Sequence, residues 1–326
     1  MPVALVTGIT GQDGGYLAEQ LVSEGTVVHG LTRAGEAVPP HLVDLGAAVV
    51  LHEADLLDQP RMAAVLAAIA PDEVYNLAGL SSVAQSWQEP VLTHQVNGVA
   101  VGILLDGLWQ HQEETGRRVR VVQASSAEIF AGSGVVPQDE GTPIAPLSPY
   151  GAAKAFAHHL VGVYREQGLH AVNAVLYNHE SPRRPETFVT RKITRAAAAI
   201  AAGQQEHLEL GNLEARRDWG WAPEYVDALV RAVRADAPAD FVIASGQSHR
   251  VSDFVAAAFA HAGLGDWQPY VRSDPGLTRP TDSVDLVGDA RRARELLGWV
   301  PQVGFPELVA RMVDHDRELL ARTPPG

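Results

Sequence analysis

Residues 3–22 read VALVTGITGQDGGYLAEQLV, and their order decides the fold. Val3–Thr7 is a short apolar, β-branched run, the pattern of a buried strand. Gly8, Gly11 and Gly14 follow at G-x-x-G-x-x-G spacing, and Tyr16, Leu17, Leu21 and Val22 then recur at helical spacing. A glycine-rich turn alone is as often structural as functional. Between a strand and a helix it predicts a cradle in which backbone N–H groups approach a pyrophosphate at a helix N-terminus. Gly8, Gly11, Gln12, Asp13 and Gly14 are the expected cofactor contacts of this turn.

The chain then alternates. Val27–Leu31 predicts a second strand, followed by Arg33 where an acidic residue would read the ribose hydroxyls of NAD. Arginine suits a 2′-phosphate, so NADP is the expected cofactor; the nearest acid, Glu36, lies further along the loop. Residues 48–52 predict a third strand, with Asp55 and Leu56 as an adenine-edge contact. A helix over 61–70, a strand over 73–77 ending in Leu77 and Ala78, a helix over 96–109 and a strand over 119–124 follow. Alternation with short connections predicts a doubly wound parallel sheet of Rossmann type, whose ligands lie at the carboxyl ends of the strands. Ser126 and Glu128 fall there.

Tyr150 and Lys154, in SPYGAAK, are one helical turn apart and share a face. A lysine ammonium beside a tyrosine favours the phenolate, which is expected to bring that hydroxyl toward use as a base. A lone Y-x-x-x-K is ordinary helix surface; the pair gains meaning from a dinucleotide site in the same unit.

Composition narrows the classes. The 326 residues hold 25 basic and 39 acidic side chains, a formal charge of -14 that argues against a nucleic-acid backbone as partner. There is no cysteine, which excludes disulfides, thiolate nucleophiles and Cys-ligated metals. No apolar run is expected to reach the length of a membrane span, and the location expected is cytoplasmic. Beyond a strand at 171–176, residues 178–184 (NHESPRR) are expected to form a loop, 193–202 a helix, 208–210 a short strand, and 305–320 a closing helix. Arginines at 183, 184, 217 and 279 suggest an anionic ligand. Two interleaved units are expected: cofactor binding over 1–175, and a smaller substrate unit over 176–326.

These stretches together resemble the extended short-chain dehydrogenases/reductases, and within them the GDP-mannose 4,6-dehydratase family. TGITGQDGGYLAEQL, SPYGAAK, RRDWG and RPTDSVDLVGDARRARELLGW all match that pattern, and NHESPRRPETFVTRKITRA is its most specific part. The resemblance implies NADP, a GDP-mannose-like nucleotide-hexose and no metal. It implies Ser126 as the hydroxyl on the sugar, Glu128 as the dehydratase acid/base, Tyr150 as the base, and Lys154 as its partner and a ribose contact. It carries the cofactor role to Leu77, Ala78, His179 and Arg184, and the substrate role to Ser86, Asn178, Val189, Lys192, Arg217, Arg279 and Asp282. The implied reaction is an internal redox cycle: oxidation at C4, loss of water across C5 and C6, and return of the hydride to C6. Three departures stand out: Ser126 where threonine is usual, Trp221 where histidine is usual, and a short loop over 34–46. In the family that loop supports a tetramer, so a homodimer is the expectation. A nucleotide-sugar 4-epimerase or 4-keto reductase would need the same hydroxyl, tyrosine and lysine but no carboxylate at 128. A non-catalytic NADP-binding regulator would tolerate loss of Tyr150 or Lys154.

Overall fold

Strand β1 (Val3–Thr7) turns Ala4 and Val6 to one apolar cluster and Leu5 to another. Being buried on both faces is the fate of a central parallel strand and explains its unbroken apolar run. The computed structural model describes residues 1–274, 276 and 285–322. After β1 come α1 (Gln12–Ser23), β2 (Val27–Thr32), α2 (Pro40–Val43), β3 (Val49–Glu53), α3 (Gln59–Ile69) and β4 (Glu73–Asn76). Then follow α4 (Val83–Gln88), α5 (Pro90–His94), α6 (Ala100–Thr115), β5 (Arg120–Ser126), α7 (Pro149–Glu166) and β6 (His170–Leu176).

Seven parallel strands stand in the order β10-β6-β5-β4-β1-β2-β3, with β10 (Asp240–Ile243) arriving late to close one edge. Strand order reverses between β1 and β4, which opens a crevice at their carboxyl ends. Helix α1 covers one face together with α9 (Ala222–Val233); α3, α6 and α7 cover the other. The expected Rossmann-type doubly wound sheet is the fold observed.

The remaining elements form a third apolar cluster. It joins α8 (Val189–Ala201), α10 (Val251–His261) and α12 (Phe305–Arg322), with Trp219, Phe254 and Met312 inside it. Two small sheets border it: β7 (Asn178–Glu180), β9 (Arg216–Trp221) and β11 (Ser248–Arg250), and the pair β8 (Leu208–Leu210) with β12 (Val271–Ser273). Helix α11 (Arg291–Leu297) packs on α9 and β10.

Three expectations need correction. Residues 178–180 are strand rather than loop: β7 pairs in parallel with β9, and its polar side chains face a cavity, so no apolar alternation announces it. The helix expected over 96–109 begins at Pro90, passes through a π turn at Gln95–Val99 and runs to Thr115. That run has the length and apolar content of a membrane span, contrary to expectation, and it packs against α3 and α7.

Helix α12 is tied to α8 by an ion pair between Arg191 and Asp316, whose side chains are 4% and 1% exposed. Arg191 Nε also donates to the Pro182 carbonyl at 3.0 Å, so the pair fixes the segment after β7. Asp316→Ala strands that guanidinium in the core and is expected to cost about 3–5 kcal/mol in urea denaturation. The double variant Arg191→Met/Asp316→Leu is expected to recover most of it.

Candidate active site

Three buried polar side chains level the strand ends at the crevice. Thr7 Oγ1 donates to Asn76 Oδ1 at 2.6 Å, and Asn76 Nδ2 donates to Gln123 Oε1 at 2.6 Å. Thr7 Oγ1 also accepts from the Leu77 and Ala78 amides, both at 3.1 Å, so β4 stops there. Gly8 packs on that stop at φ +67°; a Cβ on it would stand 2.8 Å from the Ala78 nitrogen. A Cβ on Gly14 would stand 2.4 Å from the Gly8 carbonyl oxygen. Both glycines are therefore required for the turn to lie flat on α1. Gly11 occupies the N-cap of α1 without a side-chain cap, which leaves the first-turn amides facing the crevice. These residues fit a dinucleotide's diphosphate.

At the end of β5, a short 3₁₀ turn (Ala127–Phe130) carries Glu128, and the Ser126 hydroxyl accepts from the Glu128 amide at 3.3 Å. Helix α7 starts beside it, with Ser148 capping the Gly151 amide at 3.0 Å and Pro149 in the first turn. Gly151 lies directly on the Glu128 backbone: a Cβ there would meet the Glu128 carbonyl oxygen at 2.8 Å. That contact brings Ser126, Glu128, Tyr150 and Lys154 to one cavity of about 360 Å³.

The electrostatics differ from the expectation for Tyr150 and Lys154. Burial pushes the Tyr150 hydroxyl up to about 12; a hydrogen bond with Ser126 and the charge of Arg184 pull it down, while Glu128 pushes it up. Lys154 Nζ donates to the Ala124 carbonyl at 2.9 Å and sits 5.9 Å from the Tyr150 ring centre. Burial lowers its own pKa to about 8. In this arrangement Arg184, which the spacing argument did not reach, is the cation that favours the phenolate.

Arg184 is held in turn. Its Nε and Nη2 donate to the two carboxylate oxygens of Glu180 at 2.9 and 3.2 Å, and the Thr190 hydroxyl donates to Glu180 at 2.6 Å. Next to it, His179 Nδ1 faces the Tyr177 carbonyl at 2.7 Å and Nε2 faces Asp13 Oδ2 at 2.9 Å. Two acceptors require a proton on each ring nitrogen, an imidazolium. Burial works against that charge, but the charge and hydrogen bond of Asp13 prevail and hold the His179 pKa above its ordinary value. Gln12 completes the clasp, donating to the His179 carbonyl at 3.1 Å and accepting from Ser181 Oγ at 2.9 Å. The side chains of Gln12 and Asp13 thus join α1 to β7, and their backbone amides are what face the crevice.

Asn178, Val189, Lys192 and Arg217 line the same cavity, as do Asp13, Leu77, His179 and Arg184. Arg217 donates to the Arg216 carbonyl at 2.7 Å. Arg33, at the outer end of β2, is 79% exposed and paired with Glu36 at 3.5 Å. Asp55 is exposed and accepts from the Leu57 amide at 2.9 Å, and Leu56 packs on the second apolar cluster. Ser86 is buried in α4 with its hydroxyl on the Val83 carbonyl at 2.7 Å, outside the cavity lining. Arg279 and Asp282 lie outside the described residues. Sequence reasoning missed Asn97, which sits in the π turn and pins the Leu80 backbone through two hydrogen bonds of 2.9 Å. It also missed Glu180 and Thr190.

A family profile described as GDP-mannose 4,6 dehydratase matches residues 5–312. The chain belongs to the GDP-mannose 4,6-dehydratase family. It is 46% identical to GDP-mannose 4,6 dehydratase 1 of Arabidopsis thaliana over 98% of this chain and 91% of that one. It is 40% identical to the human GDP-mannose 4,6 dehydratase over 99% and 93%. Among solved structures, the UDP-glucose 4-epimerase of Thermus thermophilus in complex with NAD superposes with a TM-score of 0.84 at 26% identity, over 97% of this chain and 99% of that one. As a member of the GDP-mannose 4,6-dehydratase family the chain is a hydro-lyase. It uses NADP and converts GDP-mannose to its 4-keto-6-deoxy product.

Within this GDP-mannose 4,6-dehydratase frame the buried lysine has a measurable signature. The unfolded chain holds the Lys154 proton up to about 10.5, whereas the folded protein releases it at about 8. The stability owed to this residue therefore rises with pH across that window and is lowest below it. Relative to Lys154→Met, the ligand-free wild type is expected to gain about 2 kcal/mol between about pH 7.5 and about 9.5 in chemical denaturation. A flat difference would mean that Lys154 folds in without losing its proton.

Proposed function

We propose that Tyr150, Ser126 and Glu128 divide the proton transfers of the dehydration among them. The observation that carries this reading is the seating of Gly151 on the Glu128 backbone, because it puts a carboxylate beside the tyrosine–serine pair in one cavity. Tyr150 takes the proton of the sugar's C4 hydroxyl, with Ser126 bonded to the same oxygen and Arg184 favouring the phenolate. NADP⁺ bound along the glycine turn supplies the hydride acceptor at C4 and the later hydride donor at C6. The 4-ketone acidifies the C5 proton, and Glu128 removes it. Protonated Glu128 then donates to the C6 hydroxyl, which leaves as water. Tyr150 returns its proton to C5, so the proton count closes without solvent. Lys154 holds the nicotinamide ribose. Gly8, Gly11, Gly14 and the amides of Gln12 and Asp13 hold the diphosphate, and Leu77, Ala78, Asp55 and Leu56 border the remaining cofactor. His179 and Arg184 contribute to its charge balance.

The same proposal gives Asn178, Val189, Lys192 and Arg217 to the nucleotide of GDP-mannose, with Ser86, Arg279 and Asp282 assigned by resemblance alone. We place the enzyme in the cytoplasm, since substrate and cofactor are both multiply charged solutes. Two copies pair through α6 and α7. Phe156 and Val163 on α7, and Val99 at the end of the π turn that leads into α6, are exposed large apolar residues, and Phe156 abuts Gly98. The short 34–46 loop folds onto its own chain, with Leu42 in the first apolar cluster, which favours a dimer over a tetramer. Phe156→Glu is expected to halve the mass seen in sedimentation.

The decisive test is Glu128→Gln with substrate deuterated at C4. The wild type is expected to deliver the label to C6 of a 6-deoxy-4-keto product. The variant should form some NADPH on the enzyme and release almost no water, a loss of at least about 10² in turnover. Near-normal dehydration by the variant would remove Glu128 from the mechanism.

A further inference from the structure

Just past β2 the chain makes a tight return, Arg33-Ala34-Gly35-Glu36, closed by the Glu36 amide donating to the Arg33 carbonyl at 3.1 Å. Gly35 stands at φ +69°, where a side chain would be strained. The return brings the Glu36 carboxylate back over the glycine turn. Its Oε1 accepts from the Thr10 hydroxyl at 2.7 Å, its Oε2 accepts from the Arg33 amide at 2.9 Å, and the Arg33 guanidinium stands 3.5 Å away. Three donors of three kinds converge on one anion. They come from the phosphate turn and from the end of the second strand, the two places from which a ribose 2′ position is read.

We propose that Glu36 is the residue that sets the balance between NADP and NAD, because its carboxylate takes the donors that a 2′-phosphate would need. This rests on the cofactor reading given above for Gly8 to Arg33. A 2′-phosphate must displace the carboxylate, and it then carries two negative charges beside a third. A 2′-hydroxyl can instead donate to the carboxylate where it stands. Arg33 favours NADP, and Glu36 draws on the same guanidinium; the preference is the difference between them. Burial opposes the Glu36 charge, yet the Arg33 amide, the Thr10 hydroxyl and the Arg33 guanidinium hold its carboxyl below the ordinary range. The plug is therefore charged at neutral pH.

The test is equilibrium titration calorimetry on the full-length wild type, Glu36→Gln, Glu36→Ala and Arg33→Ala/Glu36→Gln, with NADP⁺ and NAD⁺ as probes and no sugar present. Glu36→Gln is expected to bind NADP⁺ about tenfold more tightly, with NAD⁺ unchanged or weaker, and Glu36→Ala is expected to do the same. The gain should vanish in the double variant, since it depends on freeing Arg33. An NADP⁺/NAD⁺ affinity ratio that stays put or falls in both single variants would overturn the inference and make Glu36 a brace for the turn. If the wild type binds neither dinucleotide, the cofactor reading itself fails. If it binds both and only the ratio refuses to move, the failure belongs to Glu36 alone. Unchanged melting temperatures in the variants separate either outcome from misfolding.

Discussion

A hydrogen-bonded row, Thr7 to Asn76 to Gln123, runs across the carboxyl ends of β1, β4 and β5. It is the constraint on which the rest of the crevice depends. All three side chains are buried, so each bond must be made or a polar group is left without a partner in the core. Making them fixes the relative height of three strands. Thr7 in addition halts β4 by capturing two amides, and that halt is the floor on which Gly8 rests. At the other end of the row Gln123 donates to the Ala124 carbonyl at 2.9 Å, the same oxygen that anchors Lys154. The glycine turn and the buried lysine are thereby positioned by a single polar line.

A second set of bonds joins this floor to the elements above it. Gln12, Asp13, His179 and Ser181 form a closed group in which every acceptor faces a donor, and the charges of Asp13 and His179 offset one another beside the uncapped end of α1. Arg184 extends the group toward Tyr150 and is oriented by Glu180 and Thr190. The cavity thus has His179 and Arg184 on the β7 side, each paired with a carboxylate, and Ser126 with the Ala124-anchored Lys154 on the β5 side.

How far the sequence could be read follows from what each segment packs against. β1, β5 and α1 were legible because apolar periodicity and glycine spacing are local signals, and the four-residue spacing of Tyr150 and Lys154 puts them on one face of α7. β7 and β9 were not, since strands that line a polar cavity display no alternation to detect. The π turn escaped because Asn97 acts on Leu80, seventeen residues away, and no window of helical periodicity contains that contact. The charge state of the site was misjudged for a related reason. Spacing puts Lys154 near Tyr150, but burial of both and the Ala124 carbonyl decide the electrostatics, and Arg184 arrives from another element.

The seating of Gly151 on Glu128 has a mechanical meaning. Serine, carboxylate, tyrosine and lysine all ride on β5, the 3₁₀ turn that follows it and α7, which are seated on one another at that point, so their spacing does not depend on the α8–α12 assembly. Asn178, Lys192 and Arg217, assigned here to the nucleotide, ride on the other assembly. Any flexing between the two would slide a sugar past these groups without changing the spacing among them. Changes in the α8–α12 assembly can redirect which ring atom is presented while the reactive groups keep their spacing, a division of labour that would let one scaffold carry out reactions at different carbons.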